Sequence, residues 1–244
     1  MEITAPELLV SPVGAEETDR LPVIVVAAGS SARMGGVNKQ LLTIGSVPVI
    51  IRTLTAFEKS AHISRMILVT RAQDLATVQR LCDEYALSKL TDITAGGENR
   101  HASVLCGLAR LKPDEDKVLI HDGARPFVDH RTIGNVTAAL QNHEAVVCGV
   151  PVRDTVKRTD ASGKVCETVD RDGLWLVQTP QGVLVPAYRK ACEQVSDAAL
   201  LTDDAAVMEA AGYSVQMVSG SFRNIKITTP EDLTRAARYG EEET

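Results

Sequence analysis

Cations stand among small residues near the start of this chain. After the apolar run Val23–Val26 come Ala27, Ala28 and Gly29, then a serine- and glycine-rich loop holding Arg33, and then Lys39. Small side chains let backbone amides approach an anion closely, and the two cations would add local charge. The grouping recurs further on. Gly96-Gly97-Glu98-Asn99 leads into Arg100 and Ser103, and His121-Asp122-Gly123-Ala124-Arg125 sets a carboxylate three residues before an arginine. Lys226 lies between Ile225 and Ile227, and Arg153, Lys157, Arg158 and Arg171 crowd one stretch. Each has a plainer reading: a surface βα connection, a helix-start hydroxyl for Ser103, an internal Asp122–Arg125 ion pair, a solvated face for Arg153 and Arg158.

Other chemistries lack their residues. Ser31 breaks G-x-G-x-x-G, and no Gly-Lys-Ser/Thr completes a P-loop. No G-x-S-x-G elbow occurs, Cys106 has no nearby base, and His62, His101, His130 and His143 show no metal-ligand spacing. Nucleophilic catalysis by the protein is unsupported; anion binding is what remains.

These residues fall at the ends of regular elements. Strands are expected at 22–27, 66–70, 91–94, 117–121, 145–150, 214–218 and 224–228, with helices at about 47–59, 72–86, 99–111, 130–142, 186–195, 203–211 and 230–239. Apolar strands alternating with helices imply a mostly parallel sheet covered on both faces. Ligands of such sheets bind beyond the strands' carboxyl ends, where the cations sit. The loop to Lys39 is long for a βα connection, most of which take about 2–6 residues. Residues 151–180 break the rhythm: Thr155–Arg158 and Lys164–Val169 read as a hairpin about Ala161-Ser162-Gly163. A lone hairpin is marginal in water, so this arm, about 151–178, needs a surface to pack on, and a partner subunit is one solution.

The chain has 244 residues, 44% hydrophobic and 24% charged, enough for one domain over 21–240 without disulfide staples. Aromatics at 3% and a net charge of −6 argue against a nucleic-acid platform. Five scattered cysteines without a C-x-x-C pair fit reduced thiols in a cytosol. Residues 1–20 lack a basic start and a long apolar core, and read as a flexible acidic tail rather than a signal peptide. No apolar run reaches the roughly 18 residues of a membrane span. The expectation is a cytoplasmic protein.

Taken in order, A-A-G-S-S-A-R-M with Lys39, G-G-E-N-R-H-A-S-V, H-D-G-A-R-P, P-V-R-D-T-V-K-R, T-V-D-R-D-G-L-W, Q-T-P-Q, L-T-D-D-A and N-I-K-I-T-T-P-E-D-L resemble the 2-C-methyl-D-erythritol 4-phosphate cytidylyltransferase family across residues 23–233. The resemblance implies a Rossmann-like nucleotidyltransferase with a projecting β-hairpin arm. It would transfer CMP from CTP to methylerythritol phosphate, with Mg²⁺, in non-mevalonate isoprenoid synthesis. It also implies roles. Arg33 and Lys39 would stabilise triphosphate charge, and Ala27, Ala28, Gly29, Gly97, Glu98, Ser103 and Asp122 would form the nucleotide pocket. Asp122, the one possible metal contact, and Arg125 would lie near ribose, metal and second substrate. Thr155 and Arg171 would hold that substrate from an arm exchanged within a homodimer, and Lys226 would position its phosphate. Glu98, Gly123 and Val183 depart from the family's usual residues without removing a cation. The alternatives are the sister activity on ribitol 5-phosphate and a non-catalytic nucleotide-binding protein.

Overall fold

The structure is a computed structural model and describes residues 20–29, 38–195 and 201–241. Arg33 and the tail before Arg20 lie outside the described residues. β1 (Leu21–Val26) leads through the short pair β2 (Thr43–Ile44) and β3 (Val47–Pro48) to α1 (Val49–Glu58) and β4 (Ile63–Thr70). A 3₁₀ turn (Ala72–Asp74), α2 (Leu75–Glu84), β5 (Leu90–Ala95), α3 (Arg100–Leu108), β6 (Lys117–Asp122), α4 (His130–Ala139) and β7 (Ala145–Pro151) follow. Then come the hairpin β8 (Val156–Thr159) and β9 (Val165–Val169), β10 (Trp175–Leu184), α5 (Val185–Gln194), α6 (Asp204–Ala210), β11 (Val215–Ser219) and α7 (Pro230–Glu241).

Seven strands form one sheet in the order β11-β7-β10-β6-β1-β4-β5. Every neighbouring pair is parallel except those made by β10, which runs against both β6 and β7. The chain builds outward from β1 through β4 to β5, then returns to pair β6 on the other side of β1. The strand order therefore reverses between β1 and β6, where ligands of open α/β sheets bind.

Both faces of the sheet are buried, as the continuous apolar runs require. Val23 and Val25 face a layer with Ile50, Leu54 and Phe57 of α1, Val78 of α2, and Ile133 and Val136 of α4. Ile24 faces the opposite layer with Val104 and Leu108 of α3, Tyr188 of α5 and Met208 of α6. A smaller cluster seats α7 by Ala236 against Ile44, Val49, Phe127 and Ile227. Among the described residues the hairpin strands pair only with each other, with Val156 opposite Val169.

Two parts of the fold differ from the expectation. Residues 224–228, expected as a strand, form no ladder. They run beside the end of β6, where the Ile227 N–H donates to the Ala124 carbonyl at 2.8 Å. Helix α7 anchors their end. Asp232 Oδ2 accepts from the N–H groups of Thr228 and Thr229 at 2.8 and 2.9 Å, and Pro230 opens the helix. The place in the sheet goes to β10, which the sequence reading passed over because Gln178, Thr179, Pro180 and Gln181 interrupt its apolar pattern. Those polar side chains are buried and bonded: Gln178 Nε2 to the Ser221 carbonyl, Thr179 to His121, and Gln181 Nε2 to Asp203.

Candidate active site

The cleft opens at the carboxyl ends of β1 and β6 and encloses about 850 Å³, within the size range of small-molecule sites. One wall is glycine and alanine. A Cβ on Gly96 would come within 2.4 Å of the Ala28 Cβ and 2.6 Å of Ser103 Oγ, and one on Gly97 within 2.6 Å of the Ala102 Cβ. Only glycine lets these backbones pass so close. The loop then enters α3, where Asn99 is the cap, its Oδ1 accepting from the Ala102 N–H at 2.8 Å. Ser103 does not cap; its hydroxyl donates back to the Asn99 carbonyl at 2.8 Å.

The floor is Asp122, the last residue of β6. Three cations converge on its carboxylate: Lys226 Nζ at 2.7 Å, Arg100 Nε at 3.3 Å and Arg125 Nε at 3.7 Å. Burial alone would raise the Asp122 pKa, yet Lys226, Arg100 and Arg125 hold it well below the usual carboxylate range. The anion that Lys226 meets within the chain is thus Asp122. Lys39 donates to the Ile227 carbonyl at 2.8 Å, which ties the first loop to the 224–228 segment.

Arg100 is the residue that sequence reasoning left out of the site. Its Nη2 reaches Asp204, 1% exposed, at 2.6 Å, and Tyr188 donates to the other Asp204 oxygen at 2.9 Å. Burial opposes the charge on Arg100, but Asp204 and Asp122 together raise its pKa. Its position one residue past the cap of α3 was visible, but Asp204, 104 residues away, was not. Arg71 and Gln73 also line the cleft, Arg71 being paired with Asp74, which in turn accepts from Asn38 at 2.8 Å. No sequence signal marked them.

His121 is no acid–base group. It is wholly buried, with Nε2 set 3.2 Å from the Arg125 carbonyl and Nδ1 3.0 Å from the Thr179 hydroxyl. A carbonyl only accepts, so Nε2 carries the proton and Nδ1 accepts from Thr179. That hydroxyl also accepts from the Asp122 N–H at 3.0 Å, which fixes the end of β6. Burial pushes the His121 pKa down to about 3, so the ring stays neutral.

Of the residues singled out from sequence, Ala28, Gly29, Lys39, Gly97, Glu98, Ser103, Asp122 and Lys226 line this cleft together. Ala27 is buried behind it. Arg125 does not line it; its Nη1 donates to the Asn224 carbonyl at 2.8 Å, and it pairs with Asp122 as the plainer reading had it. Thr155 and Arg171 are exposed by the hairpin and line no part of the cleft, with Arg171 bonded to the Arg153 carbonyl.

A mostly parallel sheet with an antiparallel insertion, a glycine-walled cleft at its switch point and a floor of clustered cations define a Rossmann-like nucleotidyltransferase. A sequence profile of the 2-C-methyl-D-erythritol 4-phosphate cytidylyltransferase (IspD) family matches residues 21–242, and the chain belongs to that family. A protein of that name from Alkaliphilus metalliredigens is 42% identical over 222 residues, covering 88% of this chain and 90% of the relative. Another from Geobacillus kaustophilus is 42% identical over 213 residues, covering 86% and 92%. The 4-diphosphocytidyl-2C-methyl-D-erythritol synthase of Anaerococcus prevotii superposes with a TM-score of 0.80 at 29% identity, over 92% of this chain and 97% of that one. The 2-C-methyl-D-erythritol 4-phosphate cytidylyltransferase of Thermus thermophilus does so at 0.74 and 29%, over 91% and 99%.

Proposed function

We propose the following reading of how this family member works. It transfers CMP from CTP to 2-C-methyl-D-erythritol 4-phosphate, a step of isoprenoid synthesis, and releases pyrophosphate. An oxygen of the acceptor phosphate forms a bond to the α-phosphorus of CTP while the bond from that phosphorus to the β-phosphate oxygen breaks. A phosphate monoester has a second pKa of about 6, so at neutral pH it attacks as a dianion and needs no base. This agrees with a cleft beside which His121 is locked neutral. No cysteine is among the described residues that line the cleft.

The difficulty is to bring two anions together, and fixed cations answer it. The observation that carries the reading is the set of cations, Lys39, Arg100 and Lys226, facing one glycine-walled cleft. We assign Arg33 and Lys39 to the triphosphate, Ala27, Ala28, Gly29, Gly97, Glu98, Ser103 and Asp122 to the nucleotide, and Lys226 to the acceptor phosphate. Arg100 joins them as a cation held in place by Asp204. Charge-assisted hydrogen bonds contribute about 1.5–3 kcal/mol each, so a few account for several orders of magnitude in rate.

Mg²⁺ fits the donor set. Glu98 and Asp122 are the carboxylates lining the cleft, and no group of three His, Cys, Asp or Glu side chains converges among the described residues. Mg²⁺ is commonly held by one or two carboxylates with the remainder from substrate phosphates and water. Asp122 would be the protein's contact, and the ion, when bound, would neutralise phosphate charge.

The working form we propose is a homodimer. Val165, Leu174, Leu176, Val177 and Phe222 are exposed on or near the arm, Leu176 to 58%, which is apolar surface suited to a second copy. Thr155 and Arg171 would then serve the acceptor in the neighbour's cleft, and Arg125, held beside Asp122, would lie near the acceptor of its own. No helix among the described residues is long and apolar enough to cross a membrane, and the cytoplasm is the proposed location.

The test is pyrophosphate release with CTP and Mg²⁺, comparing methylerythritol phosphate with ribitol 5-phosphate. Release with the former alone is expected. Release with the latter alone would move the chain to the sister activity, and silence with both from folded protein would leave a binding function.

A further inference from the structure

Arg71 stands just past the carboxyl end of β4 and lines the cleft, but the chain itself uses little of it. Its Nε donates to Asp74 Oδ2, which also accepts from the Asn38 amide at 2.8 Å. Among the described residues Nη1 and Nη2 have no protein partner, and neither is shut off from water. Arg65, near the start of the same strand, shows what an arginine spent on structure looks like. Its Nε and Nη2 hold Glu115, its Nη1 holds Thr91 and Asp92, and Nη2 also donates to the Arg110 carbonyl. Arg71 has its Nε fixed and the forward donors of its fork left over, open to what enters the cleft.

Position gives that fork to the nucleotide. The sheet runs β6-β1-β4 here, and Asp122, with Lys226 upon it, ends β6. Arg71 therefore stands two strands from the acceptor phosphate's lysine, about 10 Å at the usual spacing of neighbouring strands. Beside it runs the glycine wall, joined to β4 where the Gly96 N–H donates to the Thr70 carbonyl at 2.8 Å.

Charge narrows the part of the nucleotide. Around Asp122, the cations Arg100, Arg125 and Lys226 outnumber the carboxylates Asp122 and Asp204, which leaves an excess for phosphates. Arg71 and Asp74 cancel, so this pair offers directed donors without net charge. A neutral group with two adjacent acceptors suits it best. In cytosine N3 and O2 are such acceptors side by side, as the two oxygens of a carboxylate are. Uracil carries a hydrogen on N3, which would meet the fork donor against donor. A ribose hydroxyl would fill only one arm.

We propose that Arg71 is a specificity residue that reads the N3–O2 edge of the cytosine ring. The proposal rests on the reading of the cleft as a CTP site. Asp74 and Asn38 hold the fork in place, and the cations across the cleft, which see only phosphate, cannot tell one pyrimidine from another.

The experiment measures binding of CTP and UTP by calorimetry, with Mg²⁺ and without acceptor, in the wild type, Arg71→Lys and Arg71→Met. Turnover is followed alongside. The wild type should bind CTP at least about tenfold more tightly than UTP, since a site built for two acceptors rejects a ring that presents a donor. Arg71→Lys keeps a cation for Asp74 but loses the fork. It should melt with the wild type and keep its affinity for UTP, while its preference for CTP shrinks to within about threefold. Arg71→Met should lose the same preference. Equal losses on CTP and UTP would put Arg71 on the triphosphate and overturn the proposal, as would an unchanged preference in both variants. If only Arg71→Met loses affinity, and it also melts lower, Arg71 is a structural partner of Asp74 and the proposal falls. A wild type that turns over CTP yet binds UTP as tightly would remove this proposal alone. One that prefers CTP in binding, loses that preference in Arg71→Lys and turns over no acceptor would remove the parent reading and leave this one standing.

Discussion

Around Asp122, three cations converge on one carboxylate within the end of a seven-stranded sheet, and Arg100 is braced from behind by Asp204 and Tyr188. On the hairpin, Arg158 pairs with Glu167 at 2.5 Å while 67% and 53% of the two side chains stay in water. The first set is fixed by elements that the chain itself packs, so the cleft is organised before substrate arrives. The second is held by a two-stranded sheet that pairs with no other strand among the described residues. In the proposed dimer such an arm would take its working geometry from the copy it docks on. The contrast is what the proposed exchange would require: the cleft and the arm, both rich in cations, share no lining residue among the described residues.

The largest effect should fall on the sheet side. Arg65, 7% exposed, is bound to Glu115 at 2.7 Å and to Asp92 at 3.0 Å. Arg65→Met leaves Glu115 without its partner, and chemical denaturation should report a loss of about 3–5 kcal/mol. A loss below about 1 kcal/mol would mean that buried and exposed pairs behave alike, and the contrast would fail.

Next comes catalysis. Lys39→Ala, and likewise Arg33→Ala, should lower kcat at least about a hundredfold, or about 2.7 kcal/mol, with an unchanged melting temperature. Near-normal turnover in both would remove their assigned role.

A pH effect should also belong to the sheet. His121 titrates near about 6.5 in an unfolded chain, and burial lowers it to about 3 in the fold. Between those values the unfolded chain carries the extra proton. Stability therefore falls as pH drops below about 6.5, by up to about 1.4 kcal/mol per unit. Asp122, depressed in the fold, adds a loss in the same direction once pH falls below about 4. Urea titrations from pH 7.5 to 4.5 should show the slope, and His121→Gln should flatten it. The smallest effect belongs to the arm: Arg158→Ala should change stability by less than about 1 kcal/mol at any of these pH values.

The two regions also differed in how far the sequence revealed them. The apolar runs of β1, β4, β6 and β7 announced a buried parallel sheet, and alternation about Gly163 announced the hairpin. β10 stayed hidden because its polar residues are buried on partners from distant elements, Thr179 on His121 and Gln181 on Asp203. The segment 224–228 misled for the opposite reason. It alternates like a strand, but it is held by side chains and a helix cap, with the Asn224 Nδ2 donating to the Thr179 carbonyl at 2.8 Å. In the cleft, glycines and cations beside strand ends marked most of the lining. The Arg100–Asp204 brace and the half-spent guanidinium of Arg71 exist only once the chain has folded.

The most direct test of the two-copy account is subunit mixing. Lys39→Ala and Arg171→Ala proteins, each nearly inactive, are unfolded together and refolded as a mixture. If each arm serves its neighbour, a mixed dimer joins an intact cleft to an intact arm, and roughly a quarter of wild-type activity should return. If each arm serves its own chain, every site carries one lesion, and the mixture would stay as inactive as its parts.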